Sequence, residues 1–69
     1  MERLAVSSSN LASIGYDSAS LTLEVEFNNG AIYQYYDVTE GVYTDLLNAS
    51  SIGSYFSNNI RNAYPTQKI

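Results

Sequence analysis

The chain has 69 residues with no cysteine and no histidine, and seven acids against three bases give it a net charge of −4. This composition excludes disulfides, the usual zinc sites and the ordinary catalytic bases and thiols, so we expect one domain (residues 1–69) with no catalytic residue, metal or cofactor. The sequence has no apolar run long enough for a signal peptide or a membrane span, so we expect a cytoplasmic location. Its excess of acidic over basic residues argues against duplex DNA as a partner.

The first part of the chain predicts one short strand. Residues 1–10 are expected to form an edge segment or a loop. Residues 11–16 then have a strand-like composition, and Gly15 within them marks either a bulge or the close approach of another backbone. Residues 17–20, with the sequence Asp-Ser-Ala-Ser, supply the turn chemistry that leads into the next strand.

The middle of the chain predicts a β-hairpin. Apolar and polar residues alternate along residues 21–27, which is typical of a strand with one face in a core and one in water. The run Asn28-Asn29-Gly30 interrupts the pattern, and residues 31–36 return to a strand-like composition.

Two hairpin registers are possible, and they differ in which residues face each other. A two-residue turn at Asn29-Gly30 pairs Val25 with Gln34 and mixes polar with apolar partners. A three-residue loop with Gly30 in the left-handed conformation pairs Val25 with Tyr33 instead, and we favour it because each face then stays uniform.

The last part of the chain changes to helical periodicity. Residues 37–40 offer an N-cap for a first helix, and Ser50 or Ser51 can cap a second one that Pro65 ends. The second helix is expected to run as far as Ala63, which leaves residues 65–69 as a frayed tail. The predicted fold class is α+β, with a three-stranded antiparallel β-meander packed on one face by two short C-terminal helices.

Several short sequence elements occur in an order that matches a known small family. They run along nearly the whole chain and include Ser8-Ser9-Asn10, residues 13–17, Asn29-Gly30, Tyr33-Gln34-Tyr35, Asp37-Val38, Val42-Tyr43, Ala49-Ser50, Gly53, Tyr55-Phe56 and Ile60-Arg61. In this order they resemble the KTSC domain, which occurs at the C-terminus of some lysyl-tRNA synthetases and as standalone proteins. Thr39 stands where the resemblance implies a proline. By analogy with the synthetases, the resemblance implies a role in RNA binding.

Tyrosines are the first candidate binding residues, because a flat ring can stack on a base. The favoured register places Tyr33 and Tyr35 on the apolar face, where they are either core residues or ligand contacts. It places Tyr36 on the opposite face with Ile32. There Tyr36 either contacts a stacked ligand or a partner protein, or is simply exposed to solvent.

Two further groups of residues are candidates for binding an anion. Ser50, Ser51 and Gly53 lie at the predicted N-terminus of the second helix, where free backbone N–H groups attract a phosphate, unless the serines only cap the helix. Arg61, with Asn58 nearby, can bind a phosphate and hydrogen-bond to a base, unless this is simply a solvated helix face.

The sequence therefore predicts a small non-catalytic binding module for RNA or a nucleotide-like ligand. The alternative is a protein-interaction or self-assembling module that uses Ile32 and Tyr36 on the uncovered sheet face. In one variant of that alternative, a homo-oligomer of bacterial or viral source sequesters a nucleotide signal between its subunits.

Overall fold

The computed structural model describes residues 1–69 and contains one sheet and two helices. The elements in chain order are β1 (Arg3–Ala5), β2 (Leu11–Asp17), β3 (Thr22–Phe27), β4 (Ile32–Tyr35), α1 (Glu40–Asn48), α2 (Ile52–Asn59) and β5 (Thr66–Lys68). The strands lie in the order β1-β2-β3-β4-β5, and every neighbouring pair is antiparallel. Neither helix has the length and apolar character needed to cross a membrane.

The hairpin of β3 and β4 has the predicted three-residue loop. Val25 pairs with Tyr33 and Leu23 with Tyr35. Gly30 has a φ of 90°, and its N–H donates to the carbonyl oxygen of Phe27 at 2.9 Å. A left-handed residue at this position lets the chain reverse without shifting the apolar residues to the wrong face.

The sheet has five strands, so the predicted three-stranded meander is incomplete at both edges. The expectation of a frayed tail at residues 65–69 is wrong, because β5 pairs with β4 through Tyr35 with Thr66 and Tyr33 with Lys68. The N–H of Tyr36 also donates to the carbonyl oxygen of Pro65 at 2.9 Å. Pro65 does not end the second helix as predicted, because α2 stops at Asn59; instead it begins a return along the free edge of β4. β5 also means that the helices are not the last elements of the chain.

At the other edge, β1 lies against β2 at Gly15. A Cβ atom at Gly15 would lie 2.7 Å from the carbonyl oxygen of Glu2 and 2.9 Å from Cγ of Arg3. This close backbone approach was one of the two interpretations of Gly15. The irregularity in the pairing of β2 with β3 lies instead between Leu11 and Ser13.

The first helix begins within the predicted cap region, and the second is shorter than its apolar spacing predicts. α1 starts after Thr39, because Asp37 has a φ of 62° and turns the chain before the helix begins. α2 ends at Asn59, and Ile60 is its C-cap. Ala63, expected on the apolar face of this helix, is exposed beyond its end.

The core lies between one face of β2–β4 and the two helices. Nine apolar residues are buried there: Leu11, Ile14, Leu23, Val25, Tyr35, Val38, Leu46, Phe56 and Ile60. None of them belongs to β1 or β5. The helices therefore leave the edges of this inner face open, and they leave the whole opposite face of the sheet, here called the outer face, uncovered.

Candidate functional site

A surface depression of about 380 Å³ opens where the loop before β2 and the loop after β3 meet α2. Phe27 and Phe56 provide its apolar lining together with Leu11. The remaining lining is polar: Ser9, Asn10, Asn28, Asn29, Gly53, Ser57 and Arg61. The two loops are tied together, because the side-chain amide of Asn28 donates to the carbonyl oxygens of Ser8 and Ser9 at 3.3 and 2.9 Å.

Two further depressions adjoin this one and share residues with it. One, of about 410 Å³, is lined largely by serines and shares Ser9 and Gly53. The other, of about 370 Å³, reaches Tyr33 and Lys68 at the β5 edge and shares Phe27, Asn29 and Arg61. We refer to the three together as the trough.

The trough differs in charge from the rest of the molecule. Two of the three basic side chains, Arg61 and Lys68, line it, and none of the seven acids does. The third base, Arg3, forms an ion pair with Glu24 and lies 3.9 Å from Glu26. The protein as a whole is acidic, but the charged side chains of the trough are all cationic.

Comparison with known proteins places this fold in a family. The family model described as "KTSC domain" matches residues 7–64. The chain belongs to the KTSC domain family. A KTSC domain protein from Yersinia pestis has the same structure, with a TM-score of 0.93 and 38% identity over 99% of this chain and 96% of that one.

Sequence relatives of this KTSC domain are of two kinds. An uncharacterized protein of Stutzerimonas stutzeri (strain A1501) is 47% identical over 57 residues, which cover 83% of this chain and 80% of the relative. A lysine–tRNA ligase of Nostoc punctiforme is 33% identical over 54 residues, which cover 78% of this chain but 10% of the ligase. The KTSC domain thus occurs both in small proteins and as a module of much larger ones.

Most of the residues predicted to bind a ligand lie along the trough. Gly53 and Arg61 line its central part, Ser50 and Ser51 its serine-lined part, and Tyr33 and Tyr35 the part next to β5. Two of the predicted residues do not join them. Tyr36 lies at the end of β4 with its ring on the outer face, and Asn58 is exposed on α2 and lines none of the three depressions.

The two tyrosines that line the trough differ in exposure. Tyr35 is 4% exposed, and its ring meets that of Phe56 edge to face at 5.4 Å. Burial raises the pKa of the Tyr35 hydroxyl, while the charge of Arg61 acts in the opposite direction. Tyr33 is only half-buried, with its ring 5.6 Å from that of Phe27. Tyr33 is therefore the tyrosine that a ligand in the trough can contact.

The N-terminus of α2 is organised by capping and close packing. The hydroxyl of Ser51 accepts the N–H of Ser54 at 3.3 Å, as the capping alternative predicted. A Cβ atom at Gly53 would lie 3.0 Å from Oγ of Ser8, so glycine lets the loop before β2 approach the helix. These contacts fix the wall between the serine-lined and central parts of the trough.

A chain of hydrogen bonds crosses the outer face of the sheet. Nε of Arg3 donates to Ser13 at 3.0 Å, Gln34 donates to Glu24 at 2.9 Å, and the hydroxyl of Tyr36 donates to Gln34 at 3.0 Å. The hydrogen bond from Gln34 is the main cause that lowers the pKa of Glu24, and Arg3 adds to it. The apolar strip expected on this face is therefore limited to Ile32 and the ring of Tyr36, both half-buried, beside a connected polar network.

Several trough residues were not predicted as binding residues. Lys68 was assigned to a frayed tail, although β5 brings it to the same depression as Arg61. Phe27 was assigned only to the apolar side of a strand, and Asn28 and Asn29 only to a turn. The sequence signal that could have identified them is the run of polar residues at each loop, but their convergence with α2 depends on the tertiary fold.

Proposed function

We propose that this KTSC domain is a small non-catalytic binding module that holds single-stranded RNA or a nucleotide-like ligand in the trough. The observation that carries the proposal is the segregation of charge, since two of the three basic side chains and none of the seven acids line this surface. Neither Arg61 nor Lys68 forms an ion pair within the protein. Both cations are free to meet an external anion.

The lining of the trough supports a ligand that combines an anion with a planar group. Arg61 has a guanidinium group that can contact two phosphate oxygens at once, and Lys68 supplies a second positive charge. The half-buried rings of Phe27 and Tyr33 lie beside them, and stacking on such a ring contributes about 1–3 kcal/mol per base. Single strands and nucleotides expose both their phosphates and their base faces, whereas a duplex hides the base faces.

The family relationship supports RNA over other anions. Part of a lysine–tRNA ligase of Nostoc punctiforme is 33% identical to this chain, and an enzyme with that name acts on tRNA. A module carried by such an enzyme can add RNA contacts outside the catalytic part. The acidic remainder of this domain would then confine those contacts to the trough.

Fluorescence anisotropy with labelled octauridylate, measured over a range of salt concentrations, tests the proposal. If the two cations neutralise two phosphates, the slope of log K against log salt is about −1.4 for a single strand. Arg61→Gln should reduce the slope to about −0.7 and weaken binding at low salt. Thr44→Glu makes the same change in net charge at an exposed position of α1 and serves as the matched control.

Two results would reject the trough as the binding surface. One is an Arg61→Gln variant with unchanged affinity and slope. The other is a loss of affinity in Thr44→Glu as large as that in Arg61→Gln, because net charge alone would then explain the effect. Unlabelled AMP and inorganic phosphate as competitors distinguish a nucleotide-like ligand from a simple anion site.

Self-association or protein binding through the outer face is the alternative proposal. Less supports it, because the hydroxyl of Tyr36 and the side chains of Gln34 and Glu24 already satisfy one another across that face. Sedimentation velocity at high micromolar concentration tests it, with Tyr36→Ala as the variant. A dimer that Tyr36→Ala disrupts would favour this alternative.

A further inference from the structure

A second depression, of about 500 Å³, lies beside β1 and does not touch the trough. Its lining combines apolar and acidic residues: Met1, Glu2, Leu4, Tyr16, Asp17 and Tyr43. We call this surface the β1 groove. Its residues come from the N-terminal segment and β1, from the end of β2 and from α1.

The apolar part of the β1 groove follows from how the helices cover the sheet. Leu4 pairs with Ile14 across β1 and β2, so the two side chains share the inner face. Ile14 is fully buried in the core, whereas Leu4 is 54% exposed at the β1 edge of the sheet. The rings of Tyr16 and Tyr43 are stacked beside it at 4.9 Å with an angle of 14° between their planes.

The charged part of the β1 groove is acidic. Glu2 and Asp17 line it, no lysine or arginine side chain does, and the one cationic group among its residues is the N-terminal ammonium of Met1. Burial raises the pKa of the Tyr16 hydroxyl, and the negative charges of Glu40 and Asp17 raise it further. The charged side chains of this apolar surface are thus both carboxylates, the reverse of the trough.

We propose that the β1 groove docks a cationic segment of a partner protein, in which one apolar side chain packs on Leu4, Tyr16 and Tyr43 while flanking lysines or arginines face Glu2 and Asp17. Charge complementarity decides the occupant. A second copy placed groove to groove would bring the two sets of carboxylates together, and a membrane with anionic headgroups would be repelled. Aromatic faces beside carboxylates also favour a cationic group over a neutral one.

An NMR titration of the ¹⁵N-labelled full chain tests this docking surface. The probe is a blocked seven-residue peptide with one leucine between two pairs of lysines. Amide shifts are expected at residues 3–5, 16–17 and 40–43 and not at residues 53–57. Replacing the leucine of the peptide by glycine, or changing Leu4→Ser in the protein, should weaken binding about fivefold, because about half of a leucine side chain is no longer buried.

A matched pair of charge variants separates this groove from the general acidity of the protein. Asp17→Asn keeps the oxygen that accepts the N–H of Ala19 and should weaken peptide binding about two- to threefold. Asp45→Asn makes the same charge change on α1 outside the groove and should leave binding unchanged. Absence of binding, equal binding of the glycine peptide, or equal effects of Asp17→Asn and Asp45→Asn would each overturn the proposal.

Discussion

Replacing Gly15 by alanine tests the packing of β1 on β2. The added Cβ would lie 2.7 Å from the carbonyl oxygen of Glu2, a backbone atom that can move only if β1 moves with it. Overpacking of this kind costs about 1–3 kcal/mol. Displacement of β1 would also weaken the contacts of Arg3 with Ser13 and Glu24.

That cost is a large share of the stability expected for a domain of this size. A chain of 69 residues has a free energy of unfolding of about 3–10 kcal/mol. A loss of about 2 kcal/mol should lower the Tm by about 8–16 °C. Urea denaturation followed by far-UV circular dichroism measures the change directly.

Gly41→Ala is the matched control, since it adds the same methyl group in the first turn of α1. The nearest atom to its new Cβ would be Oγ1 of Thr39 at 4.0 Å, so there is room for it. Alanine is favoured over glycine in a helix by about 0.5–1 kcal/mol, and this variant should therefore be more stable than the parent protein. If Gly15→Ala were as stable as the parent, or if both variants shifted in the same direction, the described approach of β1 would be wrong.

Two further predictions concern single hydrogen-bonded groups. The hydrogen bond from Gln34 and the charge of Arg3 hold the pKa of Glu24 below its usual 4.5, so the stability that Glu24 contributes is complete above that pH and is lost as the pH falls through the lower, folded-state pKa. Glu24→Gln should therefore reduce the loss of stability at low pH in urea titrations between pH 3 and 7. An unchanged loss at low pH would count against the network. Ser51→Ala removes the hydroxyl that accepts the N–H of Ser54 at the start of α2 and should lower the free energy of unfolding by about 1 kcal/mol. Ser51→Asp supplies a new acceptor and should restore that free energy. Equal stability of all three proteins would show that the cap contributes nothing.

The central hairpin was predictable because local sequence determines it. Alternation along β3, a glycine able to adopt a positive φ and the requirement for uniform faces together select one register, and Val25 pairs with Tyr33 as expected. The outer strands were not predictable in the same way. β5 has three residues, all exposed, so it has no apolar alternation and depends on the free edge of β4.

The same reason limits prediction of the candidate site. Arg61 was recognised from its residue type and its asparagine neighbours. The association of Arg61 with Lys68 could not be predicted, because the basic residues are scattered in the sequence and these two meet only when β5 returns along β4. Tyr36 was predicted to lie on the uncovered face and does, but the hydrogen bond of its hydroxyl to Gln34 depends on side-chain geometry that a sequence pattern does not contain.

Chemical-shift mapping of the ¹⁵N-labelled protein with octauridylate is the most direct test of the trough as the ligand-binding surface. We predict that the amides of Gly53, Ser57, Arg61 and Lys68 shift together and saturate with one affinity. Shifts confined to the outer face around Glu24, or no saturable shifts at low salt, would contradict the account.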